Sequence, residues 1–421
     1  MVKQKNNINP KKGNIEEINN ALNKKSNFKI YELIIFATLI SVISIFSTFV
    51  LTKRFVASNN RYTKSNNKNE IAEFKEVYDL IESSYYKDVD KAKMIDGAIN
   101  GMLSSLEDPH TSYFTKEETD NFNEVMNGSY EGIGAEISID NNGNIIIMSV
   151  FKNSPAKDAG IMNGDIILEV NGKSAKGLTT TEVVTIIKDP NESIAKIKIK
   201  RNEEELTFNV EKRIVVIESV ESEVINYNNK KIGYIVVNNF ANNTYEQFRS
   251  NIEQLEKNNI KGLVIDVRGN TGGYLHSVTD MINMFLPKDK IIYQIADKKT
   301  THKFTSTTDE SRNYPVAVLV NKASASASEI LAISLKESYG AYVVGTNTYG
   351  KGTVQTTKDL SSGAMIKFTI QKWLSPKGNW VNDVGVEPTH KIELTEEFIN
   401  NPIKENDNQL NKALKLISES K

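Results

Sequence analysis

"PVAVLVNKASASASEILAISLKES", residues 315–338, joins a short apolar run to a helix-forming stretch through a turn of small residues. An unbroken apolar run of this length reads as a strand buried on both faces. The same order recurs around it. "KIGYIVVNNF" precedes the helical "TYEQFRSNIEQLEKNN", "KGLVIDVRG" precedes "SVTDMINMFL", and "AYVVG" follows "SASEILAISLKES". Such alternation predicts an α/β layer around a buried, largely parallel sheet. "AMIKFTIQKWLS" then reads as one longer strand.

Three loops at the ends of these strands carry candidate chemistry, and ligands of open α/β sheets bind at such ends. Ser324, Ser326 and Ser328 stand on the turn into a helix, where free N–H groups can stabilise an oxyanion. A serine N-cap is the commoner role for such a residue, but one cap does not need three serines and three alanines. "DVRGNTGG", residues 266–273, exposes backbone amides through its glycines. "GTNTYGKGTVQ", residues 345–355, nearly spells a phosphate-binding loop. Gly352, however, stands where that loop needs a Ser or Thr for magnesium. Lys351 is then free for another task. A neutral lysine can deprotonate a serine, and burial lowers a lysine pKa by several units.

Together, "SASASEI", "DVRGNTGG" and "GKGTVQ" resemble the C-terminal processing peptidases, the tail-specific serine proteases. "GMLSSLEDPHTSYF", residues 101–114, is similar to the segment that precedes their PDZ domain, and "GNWVNDVGVEPTHKIEL", residues 378–394, to their closing strand region. The resemblance implies an α/β catalytic core, a ClpP/crotonase-like layered sheet, with an inserted PDZ β-rich domain and an N-terminal helical segment, to which the uncharged run at 33–51 adds one transmembrane helix. It implies Ser326 as nucleophile and Lys351 as base, with Gln355 supporting the dyad. Backbone amides of Gly272 and Ala327 would form the oxyanion hole, with Gly273 as the alternative neighbour. Thr271 and Tyr349 replace the proline and phenylalanine frequent in the family. No cofactor and no metal are implied.

Residues 129–213 read as the PDZ domain. The short runs "AEISI", "NIIIMSV", "DIILEV", "AKIKIKR" and "LTFNVE" alternate with turns, and Gly160 fits a helix C-cap. "YEGIGAEISI" sets glycines before a strand, where converging amides and an open edge can take a peptide carboxylate. Ile133, Gly134 and Ala135 are the peptide-binding candidates, and "TTTEVVTIIK" would form the opposite wall. The apolar side chains of that wall predict protein and peptide substrates with nonpolar C-termini. By resemblance the domain also gates the active site, with Arg201 as a coupling residue.

Residues 1–29, rich in Asn and Lys, read as a disordered cytoplasmic tail. Residues 31–52 contain "LIIFATLISVISIFSTFVL", an uncharged run of the length that spans a bilayer. It reads as a membrane anchor, with a cleaved signal segment as the alternative. Seven lysines precede it, from Lys3 to Lys29, so the positive-inside rule places the catalytic part outside the cytoplasm. Residues 53–69 are a polar linker and 70–128 an N-terminal helical segment, with Thr115 an N-cap facing Glu118. Residues 214–394 form the protease core and 395–421 a helical tail with Leu410, Leu414 and Ile417 on one face. The helical arm and the tail could pair in a homodimer, as in the resembling proteases.

A net charge of −1 over 421 residues leaves no nucleic-acid footprint. The lack of cysteine excludes disulfides and thiolate chemistry. The four histidines are scattered without zinc-ligand spacing. His276, near Asp280, offers a Ser-His-Asp alternative, and a catalytically inactive PDZ-type peptide-binding scaffold is the other rival.

Overall fold

The structure, a computed structural model, describes residues 68–420. The expected tail 1–29, the span 31–52 and nearly all of the linker 53–69 lie outside them. Among the described residues no helix is long and apolar enough to cross a membrane.

Two compact units divide between Lys91 and Ala92. The first carries helix α1, Lys68–Ser84. Ile71, Phe74, Val77, Leu80 and Ile81 recur along it at helical spacing and are all exposed. The second unit carries nearly all of α2, Lys91–Ser104, then β1, Ser112–Phe114, and α3, Lys116–Asn127. Thr115 caps α3 as expected. Its N–H donates to Glu118 Oε2 at 2.8 Å and its Oγ1 accepts from Glu118 N at 3.3 Å.

The β-rich module follows: β2, Ser129–Gly132; β3, Ala135–Ile139; β4, Ile145–Val150; α4, Pro155–Ala159; β5, Ile166–Val170; β6, Lys173–Ser174; α5, Thr180–Ile187; β7, Ile194–Arg201; β8, Glu204–Glu211; and β9, Arg213–Val216. Its sheet runs in the order β3-β4-β5-β7-β8, so β3 is an edge strand. Alternate residues such as Ile145, Ile147, Ile197 and Ile199 turn inward to a core of the module's own. β2 pairs antiparallel with β9, which brings the entry and exit of the module together.

The second half of the unit adds β10, Val220–Tyr227; β11, Lys230–Val237; α6, Thr244–Lys257; β12, Leu263–Asp266; α7, Leu275–Asn283; β13, Ile291–Ala296; β14, Thr301–Thr305; β15, Val316–Val320; and α8, Ala327–Ser334. β16, Tyr342–Gly345; β17, Thr353–Asp359; β18, Met365–Leu374; β19, His390–Lys391; α9, Glu396–Asn400; and α10, Asn408–Glu419 complete it. One sheet has the order β10-β11-β12-β15-β16-β19. From β11 to β19 its pairs are parallel, as expected. β15 shows why its strands read as continuous apolar runs. Val316, Val318 and Val320 enter one core with residues of α6, α7 and α8. Ala317 and Leu319 enter a second core with Leu410, Ala413, Leu414 and Ile417 of α10. The apolar face of the tail helix is therefore spent inside the fold and is not free for a dimer contact. A second sheet has the order β1-β18-β13-β14, with β17 also on β18.

One buried ionic cluster fastens α10. Arg268, just past β12, donates through Nη2 to Asp266 Oδ2 at 2.6 Å and to Asp407 Oδ2 at 2.7 Å, and through Nη1 to Gln409 Oε1 at 3.0 Å. Asp407 in turn caps α10, accepting from Leu410 N at 2.9 Å. Arg268→Ala strands two buried carboxylates without their cation. It should lower unfolding free energy by roughly 3–5 kcal/mol, read from urea denaturation followed by circular dichroism. A change under about 1 kcal/mol would show the cluster to be dispensable.

Candidate active site

Ser326 sits between the end of β15 and the start of α8. Its backbone is held at φ 55°, ψ −113°, a strained conformation for a residue with a Cβ. The neighbouring serines explain the run of three. Ser324 Oγ donates to Val267 O and Ser328 Oγ to Asn270 O, each at 2.8 Å. They are buried and staple the turn to the loop after β12, whereas the middle serine is half-buried.

What fixes this turn against the lysine loop is Glu329, which is fully buried. Its Oε2 accepts from Ser326 N and from Lys351 N, both at 2.8 Å. Its Oε1 accepts from Gly350 N at 2.7 Å and Thr348 Oγ1 at 2.6 Å. One carboxylate oxygen thus brings the backbones of Ser326 and Lys351 no further apart than the sum of two hydrogen bonds. The sequence signal was the S-x-x-E spacing of a capping box, which gave no hint of the far loop.

The loop after β12 closes on the other side. Gly272 is buried at φ +108°, and a Cβ there would stand 2.9 Å from Ser326 Cβ and 3.1 Å from Ala327 N. Only glycine allows this approach. The two expected oxyanion donors are therefore adjacent. The Ala327 N–H belongs to the first residue of α8, where no intrahelical acceptor exists. The Gly272 N–H is engaged by Asn270 Oδ1 at 2.8 Å, while Asn270 Nδ2 donates to Val237 O. Asn270 was not singled out from the sequence.

Both tryptophans of the chain grip the Gly-Lys-Gly loop. Trp373 Nε1 donates to Lys351 O at 2.8 Å and Trp380 Nε1 to Gly352 O at 2.9 Å. A Cβ at Gly352 would lie 2.7 Å from Trp380 Nε1, so the loop fits its clamp only as glycine. Trp373 is buried, whereas Trp380, Tyr349 and Val384 are exposed around the lysine.

Burial pushes the Lys351 amine below the ordinary lysine range, and Lys367 pushes the same way, against the pull of Asp108 and Glu329. The turn before β1 reaches this place, which sequence reading did not foresee. Asp108 accepts from His110 N at 3.0 Å and from Thr111 Oγ1 at 2.6 Å, and Thr111 Oγ1 accepts from Thr369 N at 3.2 Å. The His110 imidazole is held below its usual value by burial first and by Lys351 next. Gln355 lies on the same sheet but donates to Thr353 Oγ1 at 2.8 Å and Thr369 Oγ1 at 3.1 Å. Its amide is turned to the two threonines rather than to Lys351. The His276 ring lies tilted against that of Tyr274, 5.0 Å between centres, and has no hydrogen bond to Ser326 among the described residues.

In the β-rich module, Ile133, Gly134 and Ala135 lead into the edge strand β3, which pairs only with β4 among the described residues. The Ile133 side chain is in the module's core, so what it offers to a peptide is backbone. Arg201 is occupied within the module. It forms a two-point bond with Asp165, at 2.6 and 2.7 Å, and donates to Gly160 O at 2.8 Å.

Comparison with known proteins agrees with this layout. The pattern of Peptidase family S41 matches residues 231–392, that of the PDZ domain residues 131–211, and that of the activating protease CtpB N-terminal domain residues 41–119. The carboxy-terminal processing protease CtpB of Bacillus subtilis (strain 168) is 40% identical over 343 residues, covering 81% of this chain and 70% of that protein. CtpA of the same strain is 38% identical over 320 residues, covering 76% and 68%. A Bacteroides fragilis NCTC 9343 protein, solved as a candidate S41 protease, shares the fold. Its TM-score is 0.51 at 16% identity, over 82% of this chain and 97% of that one. The chain is thus a serine peptidase with an α/β core and a PDZ domain. It belongs to the carboxy-terminal processing proteases of family S41, which are hydrolases.

Proposed function

We propose that the chain is an endopeptidase that cleaves extracytoplasmic proteins with a Ser326–Lys351 dyad and recognises their C-termini through the PDZ domain. The observation that carries the dyad is the shared bond of Glu329 Oε2 to the backbones of Ser326 and Lys351. Neutral Lys351 takes the Ser326 proton as Oγ attacks the scissile carbonyl. The oxyanion forms against the amides of Ala327 and Gly272, the latter exchanging its bond to Asn270 for the substrate oxygen. Lys351 then gives its proton to the leaving amine, and water releases the acyl group. Gln355 reaches Lys351 by leaving Thr353 and Thr369. Activity should therefore rise with pH as Lys351 loses its proton, below the pH at which an ordinary lysine does.

The open edge of β3 beside Ile133, Gly134 and Ala135 supports binding of a nonpolar C-terminal strand. Residues 31–52 anchor the chain in the membrane with the protease outside. The apolar stripe of α1 supports a homodimer. The test of C-terminal recognition is a pair of peptides ending in alanine, one with a free carboxylate and one amidated. The amide should raise KM by about tenfold or more, the loss of a charge-assisted hydrogen bond, with kcat little changed. Equal KM values would remove the PDZ groove from substrate recognition.

A further inference from the structure

The loops that hold Lys351 carry apolar side chains that the reaction above does not use. Residues 345–352 and 380–386 lie against each other. Asp383 N donates to Gly350 O at 2.9 Å, and Gly352 N to Asn382 Oδ1 at 3.0 Å. A Cβ at Gly350 would stand 3.0–3.1 Å from the backbone nitrogens of Asp383, Val384 and Gly385, and one at Gly385 would stand 2.4 Å from Thr348 O. On this tight double loop Tyr349 is 57% exposed, Trp380 48% and Val384 66%. Val384 and Tyr349 are the two most exposed large apolar side chains between residues 220 and 394. Single exposed apolar side chains are ordinary, whereas three on two interlocked loops beside one half-buried lysine call for an occupant. Their loops are also held in place. Tyr349 N donates to Ser324 O at 3.0 Å, and its ring meets that of His110 edge-on, 6.3 Å between centres. Trp380 is fixed by the bond of its Nε1 to Gly352 O, with the Lys372 ammonium 5.0 Å from its ring centre. Val384 O accepts from Asn347 Nδ2 at 3.0 Å.

We propose, on the reading of Lys351 as the base, that Tyr349, Trp380 and Val384 form the subsite for the substrate residue that follows the scissile bond, and that they select a nonpolar side chain there. When the C–N bond of the tetrahedral intermediate breaks, the Lys351 ammonium gives its proton to the departing nitrogen, which becomes the amino group of the leaving segment. That nitrogen must lie within hydrogen-bond reach of Lys351 Nζ. The side chain of its residue begins about 2.5 Å from it. The acyl half remains bonded to Ser326 at the start of α8, across the reacting carbon. The leaving residue, rather than the acyl residue, therefore meets the two loops that carry Lys351. A nonpolar side chain laid on Tyr349, Trp380 and Val384 takes apolar surface of both partners out of water. A carboxylate or ammonium would lose hydration there. Lys372 at Trp380 and Asp383 beside Val384 are of opposite sign, so the loops favour neither charge.

The test is the set of bonds that the full chain cuts in β-casein, read from the N-termini of the products by mass spectrometry. Bonds followed by a large nonpolar residue should be cut about tenfold more often, relative to their number in the substrate, than bonds followed by Asp, Glu or Lys. Val384→Asp and Tyr349→Ser should each lower that preference about threefold or more, with the bias in the residue before the bond unchanged. Val384→Lys should raise cutting before Asp and Glu. Val384→Ala, which only trims an exposed side chain, should lower the preference in the same direction and serves if a polar variant fails to fold. Trp380 is left in place because its indole also holds the Gly352 carbonyl. A wild-type profile with no nonpolar bias after the bond would overturn the inference. So would variants of native circular dichroism that keep the wild-type preference, or that alter the residue chosen before the bond instead. Activity surviving in Lys351→Ala would overturn the dyad on which the subsite rests.

Discussion

Ser326→Ala and Lys351→Ala should each lower kcat on β-casein by roughly 10⁴-fold or more, without loss of fold. The proposed dyad would act as one unit, because a serine hydroxyl is a weak nucleophile until its proton has a destination. The double variant should consequently be little worse than either single one. Lys351→Arg gives the sharper check. A guanidinium stays charged at any usable pH, so it fills the space of a lysine without being able to accept a proton. It should be as inactive as Lys351→Ala, whereas a lysine needed only as a positive charge would be replaced by it. Product release from labelled casein measures all four. Undiminished proteolysis in Lys351→Ala would leave the chain's chemistry to some other base.

The parts of this arrangement that were legible in the sequence are local. β11, β12, β15 and β16 announce themselves because a strand covered on both faces has no polar positions. The glycines of the two loops and the small residues around Ser326 mark close backbone approach for the same local reason. The rest depends on pairing across long stretches of chain. β1 has too few residues for a period of its own, and it exists through Ser112, Tyr113 and Phe114 pairing with Lys367, Ile366 and Met365. β14, "THKFT", is exposed along most of its length and shows no buried alternation to betray it. Thr111 and Thr369 are 258 positions apart, and nothing in either neighbourhood points to the other. Trp373 and Trp380 read as apolar positions of a strand and a loop. Their role lies in indole N–H groups aimed at two consecutive carbonyls.

Glu329→Gln should reduce kcat/KM by roughly 10²-fold and stability by about 3 kcal/mol, although it changes only one oxygen to an amide nitrogen. The carboxylate is surrounded by four donors and no acceptor: Ser326 N and Lys351 N on one oxygen, Gly350 N and Thr348 Oγ1 on the other. A glutamine has one oxygen. Whichever way the amide is turned, its NH₂ group faces a pair that also donates, and that pair loses its acceptor. If the NH₂ faces Oε2's partners, Ser326 and Lys351 are no longer tied together. Ser326 also loses a bond that holds its backbone at positive φ. If it faces Oε1's partners, the loop from Thr348 to Gly350 comes loose and carries Lys351 with it. Thr348 has further work there, since its Oγ1 accepts from Val386 N at 2.6 Å and joins the loop to the closing segment. Glu329→Asp keeps the charge but shortens the reach by one methylene, so it should recover part of the stability and little of the rate. Steady-state kinetics beside urea denaturation separate these effects. A Gln variant with wild-type kcat/KM would mean that the serine and lysine loops hold their places without the carboxylate between them.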